Sequence, residues 1–132
     1  MDDLEPAEAW LSPAEMSERT GATIETLRYY EREGLITGVA RASSGHRRYS
    51  TADASWIQVL RCLRLTGMPI LQMKAFAELG QQGEHTEPDR YERLLEHRER
   101  VVAQIKELEH ALEVLDDKTA IYQRSLQQKG LL

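Results

Sequence analysis

The chain has 132 residues, 41% of them hydrophobic and 30% charged, which is the size and mix of one ordinary domain and excludes a large two-lobed enzyme. Only 6% of the residues are aromatic and Phe occurs once, so the core must be built from Leu, Ile, Val and Ala, a composition often completed by a second subunit. A net charge of −5 argues in bulk against a nucleic-acid partner, but the charge is segregated. Residues 1–9 sum to −4, residues 10–66 to +2 and residues 67–132 to −3. Every basic residue of the middle stretch is Arg, the side chain suited to bidentate contacts with phosphate and guanine.

No apolar run approaches the roughly 18 residues of a membrane span, and the acidic start MDDLEPAEAW is unlike a signal peptide, so a cytoplasmic protein with no membrane partner is expected. The single cysteine, Cys62, excludes an intramolecular disulfide and a Cys-rich zinc site. No nucleophile-base arrangement, paired carboxylate site or Gly-rich phosphate loop is present, so no enzyme and no cofactor are expected.

Residues 1–10 read as a disordered acidic lead-in. Ser12-Pro13-Ala14-Glu15 then supplies a capping box with Pro at the first helical position, predicting a short helix to about Arg19 that Thr20-Gly21 stops. Thr23 caps a second helix over 24–33, with Ile24, Leu27 and Tyr30 on one face and Gly34 at its end. Two short helices around a Gly-containing turn make a helix-turn-helix. Val39-Ala40-Arg41 and His46-Arg47-Arg48-Tyr49 flank the turn formers Ser43-Ser44-Gly45, which predicts a small β-hairpin, or wing.

Ser50 or Thr51 caps a third helix, with Trp56, Ile57, Val59, Leu60 and Leu63 as its buried stripe and Gly67 at its end. Pro69 opens a fourth helix, and the first ordered domain is expected over 11–80. The Gly- and Gln-rich stretch 81–88 reads as a linker. Over 89–124 a 3-4 apolar spacing persists for more than four heptads. Its a positions are Tyr91, Arg98, Ile105, Leu112 and Thr119, and its d positions Leu94, Val101, Leu108, Leu115 and Tyr122. That pattern predicts a coiled-coil dimerisation helix resting on Leu94, Val101, Ile105, Leu108, Leu112, Leu115 and Tyr122, followed by a tail over 125–132. The fold class is therefore mainly α: a winged helix-turn-helix followed by one long helix.

Three segments together resemble the MerR-type bacterial transcription regulators: Glu15 to Gly21, the run Leu27-Arg28-Tyr29-Tyr30-Glu31-Arg32-Glu33-Gly34-Leu35-Ile36, and the wing end Gly45-His46-Arg47-Arg48-Tyr49. The resemblance covers roughly residues 11–123. It implies a homodimer joined by an antiparallel coiled coil, bound to double-stranded promoter DNA at a pseudo-palindrome. It also implies activation by distorting an overlong promoter spacer, so that RNA polymerase is reached only through the DNA. Arg28 matches the family's recognition-helix Arg, with Thr23 and Tyr29 near the same helix start and face. Arg41, Arg47 and Tyr49 match wing positions that contact or brace against phosphates, and His46 stands where Tyr is frequent. Tyr30 reads foremost as a core side chain; Tyr49 reads equally as core or contact.

The region around Cys62 is similar to the short aldehyde- and thiol-stress-responsive (AdhR/NmlR-like) branch of that family, in which a single Cys at the matching position is the sensing thiol. Arg61 and Arg64 flank Cys62 and would favour a thiolate. The alternative for Cys62 is a small core hydrophobe on an amphipathic helix. No metal site is expected, because residues 63–132 lack Cys, and His97 and His110 are thirteen residues apart on one helix. The competing functions are a coiled-coil interaction protein, which accounts only for the last third, and a constitutive DNA-binding regulator without a reactive thiol.

Overall fold

A computed structural model of the chain describes residues 10–132; the predicted lead-in therefore lies, Trp10 apart, outside the described residues. The chain folds as two units, one ending at Tyr91 and the other running from Glu92 to Leu132. The first unit begins with α1 (Pro13–Thr20), where the expected capping box forms in full. Ser12 Oγ accepts from Glu15 N at 3.1 Å, and the Glu15 carboxylate accepts from Ser12 N at 2.8 Å. Gly21 closes the helix at φ +81, a left-handed conformation that a side chain would strain.

The second helix, α2 (Ile24–Arg32), is capped by Thr23, whose hydroxyl accepts from Thr26 N at 3.0 Å. Leu27 and Tyr30 are buried, as the apolar spacing requires. Ile24 is not: at 38% exposure it sits at the rim of that face. The wing follows as β1 (Ala40–Arg41) and β2 (Arg47–Arg48), antiparallel, pairing Ala40 with Arg48 and Arg41 with Arg47. Ala42 N donates to His46 O and Gly45 N to Ala42 O, both at 2.8 Å, which closes the turn. A bridge between Leu11 and Tyr49 adds a third extended segment beside this hairpin. On that side the Arg48 guanidinium lies 4.4 Å from the centre of the Trp10 ring, a cation–π contact.

α3 (Thr51–Leu65) is capped by Ser50 with Asp53 in a second capping box, and buries Ala54, Ile57, Leu60 and Leu63. Trp56 stacks on Phe76 of α4 (Ile70–Gln82), with ring centres 5.5 Å apart, and its indole N–H donates to Leu35 O at 2.8 Å. Gln81 donates to Gly34 O, and Lys74 pairs with Glu33 at 2.7 Å, so α4 grips the end of α2 by polar contacts as well. The core of this unit is one cluster from Met16 through Leu27, Leu35, Ile57 and Leu60 to Met73 and Ala77.

The predicted linker over 81–88 takes a different form. α4 continues to Gln82, a 3-10 turn occupies Glu84–Thr86, and α5 (Glu87–Gln128) starts at once. The Thr86 hydroxyl, buried, donates to Leu79 O at 2.6 Å and accepts from Arg90 Nε at 3.0 Å. Gly content suggested freedom; side-chain bonds to the last carbonyls of α4 removed it. Helix α5 has 42 residues, about 63 Å at 1.5 Å per residue, and it runs through the first half of the expected tail, to Gln128. Leu94, Ile105, Leu108, Leu112, Leu115 and Tyr122 are exposed along it and Val101 is half-buried, but so are Val114 and Ile121 exposed, off the predicted seam.

Tyr49 is 1% exposed, and its hydroxyl is buried without a hydrogen-bond partner among the described residues. Tyr49→Phe should leave stability unchanged or raise it by up to about 1 kcal/mol in urea unfolding, because an unpaired buried hydroxyl carries a desolvation penalty. His97 is buried too, and burial, aided by Arg100, lowers its pKa below the usual 6.5. Its unfolded form therefore binds the proton more readily, so the contribution of His97 to stability is full above pH 6.5 and is lost as the pH drops below it. The melting temperature should decline between pH 7.5 and 5.5 by more in the wild-type chain than in His97→Gln.

Candidate nucleic-acid interface

The outward face of α2 and the wing meet in a notch. Arg28, Arg41, His46, Arg47 and Tyr49 line it with Pro13 and Ile24, around a cavity of about 130 Å³. Five of the seven residues expected to touch DNA are thus brought to one place. Arg28 is exposed, with no hydrogen bond or ion pair among the described residues. It follows the buried Leu27 by one position, so helical geometry turns it about 100° away from the core. His46 is exposed at the wing tip, its Nδ1 2.9 Å from Ser44 Oγ.

The two notch arginines of the wing are not equivalent. Arg47 Nε donates to the Glu31 carboxylate of α2, and that bond raises the Arg47 pKa further. Arg41 is 48% exposed; one of its terminal nitrogens donates to Gly45 O at 3.3 Å and the other lies 3.7 Å from Glu31. Arg48 points to the other side of the wing, against Trp10, and is absent from the notch.

Tyr49 requires a correction. It lines the floor of the notch, but its hydroxyl is closed to solvent, so it is a core side chain that supports the wing rather than a surface contact. Burial raises its pKa, as it does that of Tyr30, the buried tyrosine of α2. Alternation explains the assignment: Arg48 and Tyr49 are neighbours on an extended segment and must face opposite ways.

Thr23 and Tyr29 stand apart from the notch. Thr23 is exposed, but its hydroxyl is engaged as the α2 cap and also donates to Thr26 Oγ1 at 2.9 Å. Tyr29 is half-buried, with the Arg32 guanidinium 6.0 Å from its ring centre. Beside Thr23 lies a second hollow, lined by Gly21, Ala22, Thr26, Tyr30, Arg61, Arg64 and Leu65. Arg61 and Arg64 extend the basic surface past the start of α2, whereas the sequence marks them only as neighbours of a thiol. Their i, i+3 spacing on α3 was the available signal. A Cβ on Gly21 would come within 3.2 Å of the Arg61 guanidinium, so the tight turn also makes room for that side chain.

Cys62 is a free, exposed thiol, in a hollow with Thr20, Gln58, Arg61, Leu65 and Thr66. The core-hydrophobe reading therefore fails: the buried stripe of α3 passes through Leu60 and Leu63, and Cys62, two residues after Leu60, lies on the far side of the helix. Among the described residues no group of three His, Cys, Asp or Glu is placed to hold a metal ion, and no helix is long and apolar enough to cross a membrane.

Comparison with known proteins agrees with this architecture. Residues 11–78 match the family described as "MerR HTH family regulatory protein", and residues 55–118 match "MerR, DNA binding". An HTH-type transcriptional regulator of Haemophilus influenzae is 37% identical over 112 residues, covering 85% of this chain and 83% of that protein. The HTH-type transcriptional regulator AdhR of Bacillus subtilis is 37% identical over 89 residues, 67% of this chain and 64% of AdhR. Among solved structures, HiNmlR, a MerR family regulator lacking the sensor domain and bound to promoter DNA, is similar with a TM-score of 0.85 at 34% identity over 92% of each chain. A MerR family regulator from Listeria monocytogenes gives a TM-score of 0.76 at 34% identity, over 92% of this chain and 97% of that one. With its helix-turn-helix, its wing and its long helix in matching order, the chain belongs to the MerR family of helix-turn-helix transcriptional regulators.

Proposed function

We propose that the chain regulates transcription as a cytoplasmic homodimer on double-stranded promoter DNA, each α2 entering a major groove and each wing touching the flanking backbone. The observation that carries this reading is the notch, where the exposed Arg28 of α2 and the wing residues Arg41, His46 and Arg47 converge on one basic surface. Arg28 is assigned to base edges or to phosphate near them, and Arg41 and Arg47 to phosphates. Thr23, Tyr29, Arg61 and Arg64 continue the contact surface around the start of α2. HiNmlR was captured on promoter DNA, and the likeness of the two chains supports the same kind of partner here.

The dimer is assigned to α5, through Leu94, Val101, Ile105, Leu108, Leu112, Leu115 and Tyr122. Most of these side chains stand in solvent in a single chain, an apolar row that an antiparallel second copy would cover. Two recognition helices on one rigid dimer act by bending and untwisting the promoter spacer, and RNA polymerase feels the protein through that distortion. No catalytic step, cofactor or metal enters this mechanism. A coiled-coil adaptor would use α5 equally well but has no use for the notch.

Cys62 is assigned to signal reception. Its exposure in a hollow beside Arg61 favours this role, since access admits a small electrophile. With an aldehyde, the sulfur bonds to the carbonyl carbon and the thiol proton ends on its oxygen. The adduct would act on the dimer through α3, the helix that also presents Arg61 and Arg64.

In fluorescence anisotropy with a duplex from the gene's own upstream region, binding should weaken steeply with salt. Arg28→Ala should cost about 1–3 kcal/mol and relax sequence preference, whereas Arg47→Ala should weaken binding to every sequence and flatten the salt slope. Equal losses on specific and random DNA for Arg28→Ala would remove its base-reading role, and no binding at low salt would favour the adaptor. In a reporter strain, Cys62→Ser should abolish induction by formaldehyde or methylglyoxal while leaving DNA binding intact; normal induction would eliminate the thiol and leave a constitutive regulator.

A further inference from the structure

We propose that Glu31 is the positioning residue of the wing, an acidic group kept inside a basic surface to set the height and angle of both wing strands against the recognition helix. The inference rests on the DNA-binding reading above and assigns a part to a residue that touches no base in that reading. Glu31 lies on α2 one turn beyond Leu27 and Arg28. Its two carboxylate oxygens face different strands: one accepts from Arg47 Nε on β2, and the other lies 3.7 Å from Arg41 on β1. Arg41 and Arg47 are also register partners across the hairpin. Like charges directly opposite each other repel in a two-stranded ladder, and a single carboxylate between them relieves that repulsion while tying both to α2.

The wing has few other means of holding its angle. Each strand is two residues long, and an isolated hairpin of that size is not independently stable. Tyr49 and the bridge to Leu11 secure one end of β2; Glu31 secures the other end, near the turn. Glu31 and Arg47 are both about three-quarters covered, so their bond is less screened than one at an open surface.

Electrostatics alone would select against an acid here. Glu31 reduces the charge of its cluster with Arg41 and Arg47 from +2 to +1, so the wing draws phosphate less strongly wherever it lands. That loss falls equally on all DNA, because non-specific attraction is a matter of charge. The gain in geometry falls only on the sequence that places its phosphates where the fixed guanidiniums point. Because Glu31 occupies Nε of Arg47, the guanidinium keeps its terminal nitrogens for an outside acceptor in a set orientation. Glu31 thereby converts general affinity into discrimination.

The test compares a duplex selected from a random-sequence pool by the wild-type chain with an unselected duplex of equal length, at several salt concentrations. Glu31→Gln should steepen the salt dependence by about 0.9 in log–log slope and lower the selected-to-unselected affinity ratio about tenfold. Glu31→Asp keeps the charge but shortens the reach, so it should lower the ratio while leaving the slope at the wild-type value. Circular dichroism checks folding, and if Glu31→Gln does not fold, Glu31→Asp decides by its ratio. A lower melting temperature with ratio and slope both unchanged would overturn the proposal, as would a steeper slope with the ratio unchanged. Salt-dependent binding by the wild-type chain together with such a result overturns the positioning role alone. A wild-type chain that binds neither duplex at low salt overturns the DNA-binding reading and this role with it.

Discussion

The interface depends on one constraint: a wing too short to fold by itself must be held against α2. Two residues per strand contribute little ladder energy, and the hairpin takes its position from what it is tied to. Tyr49 enters the core, Leu11 pairs beside it, Arg48 covers Trp10, and Glu31 reaches across from α2 to Arg41 and Arg47. Remove these ties and Arg28 would stand on a helix with no partner surface. The notch is therefore a product of packing in the domain, and each wing arginine in it is aimed by a contact that has nothing to do with DNA.

The same division of labour runs through α3. Its inner face, Ala54 to Leu63, holds the unit together, while its outer face presents Arg61 and Arg64 beside the cap of α2 and Cys62 beside Arg61. A chemical change at Cys62 would thus occur on a helix that is both part of the core and part of the basic surface. The indole of Trp56 bonds to Leu35 O and its ring stacks on Phe76, which joins α3, α4 and the segment after α2 into one body.

Much of this was legible in the chain. The capping box at Ser12, the caps at Thr23 and at Ser50 or Thr51, and the stop at Gly21 are local chemistry, decided by groups three or four residues apart. So are the wing turn and the long period of α5. Two stretches depart from what their composition suggests, because composition is blind to which way a side chain faces. Residues 81–88 look free, yet the Thr86 hydroxyl and Arg90 tie the turn down through bonds to Leu79 and Gly83. Cys62 sits among leucines in sequence but on the opposite side of the helix from Leu60.

By itself the sequence determined the order of elements, the Arg-only charge of the reading head and the apolar row of α5, because each is set by neighbours along the chain. Only the tertiary structure decided which of the basic side chains are available. It buried Tyr49, turned Arg48 onto Trp10, bound Arg47 to Glu31, left Arg28 open and brought Arg61 and Arg64 to the start of α2. Charge count is a property of composition, whereas the direction of a guanidinium depends on what lies within hydrogen-bond reach of it, and the partners that aim the wing arginines come from segments distant in the chain.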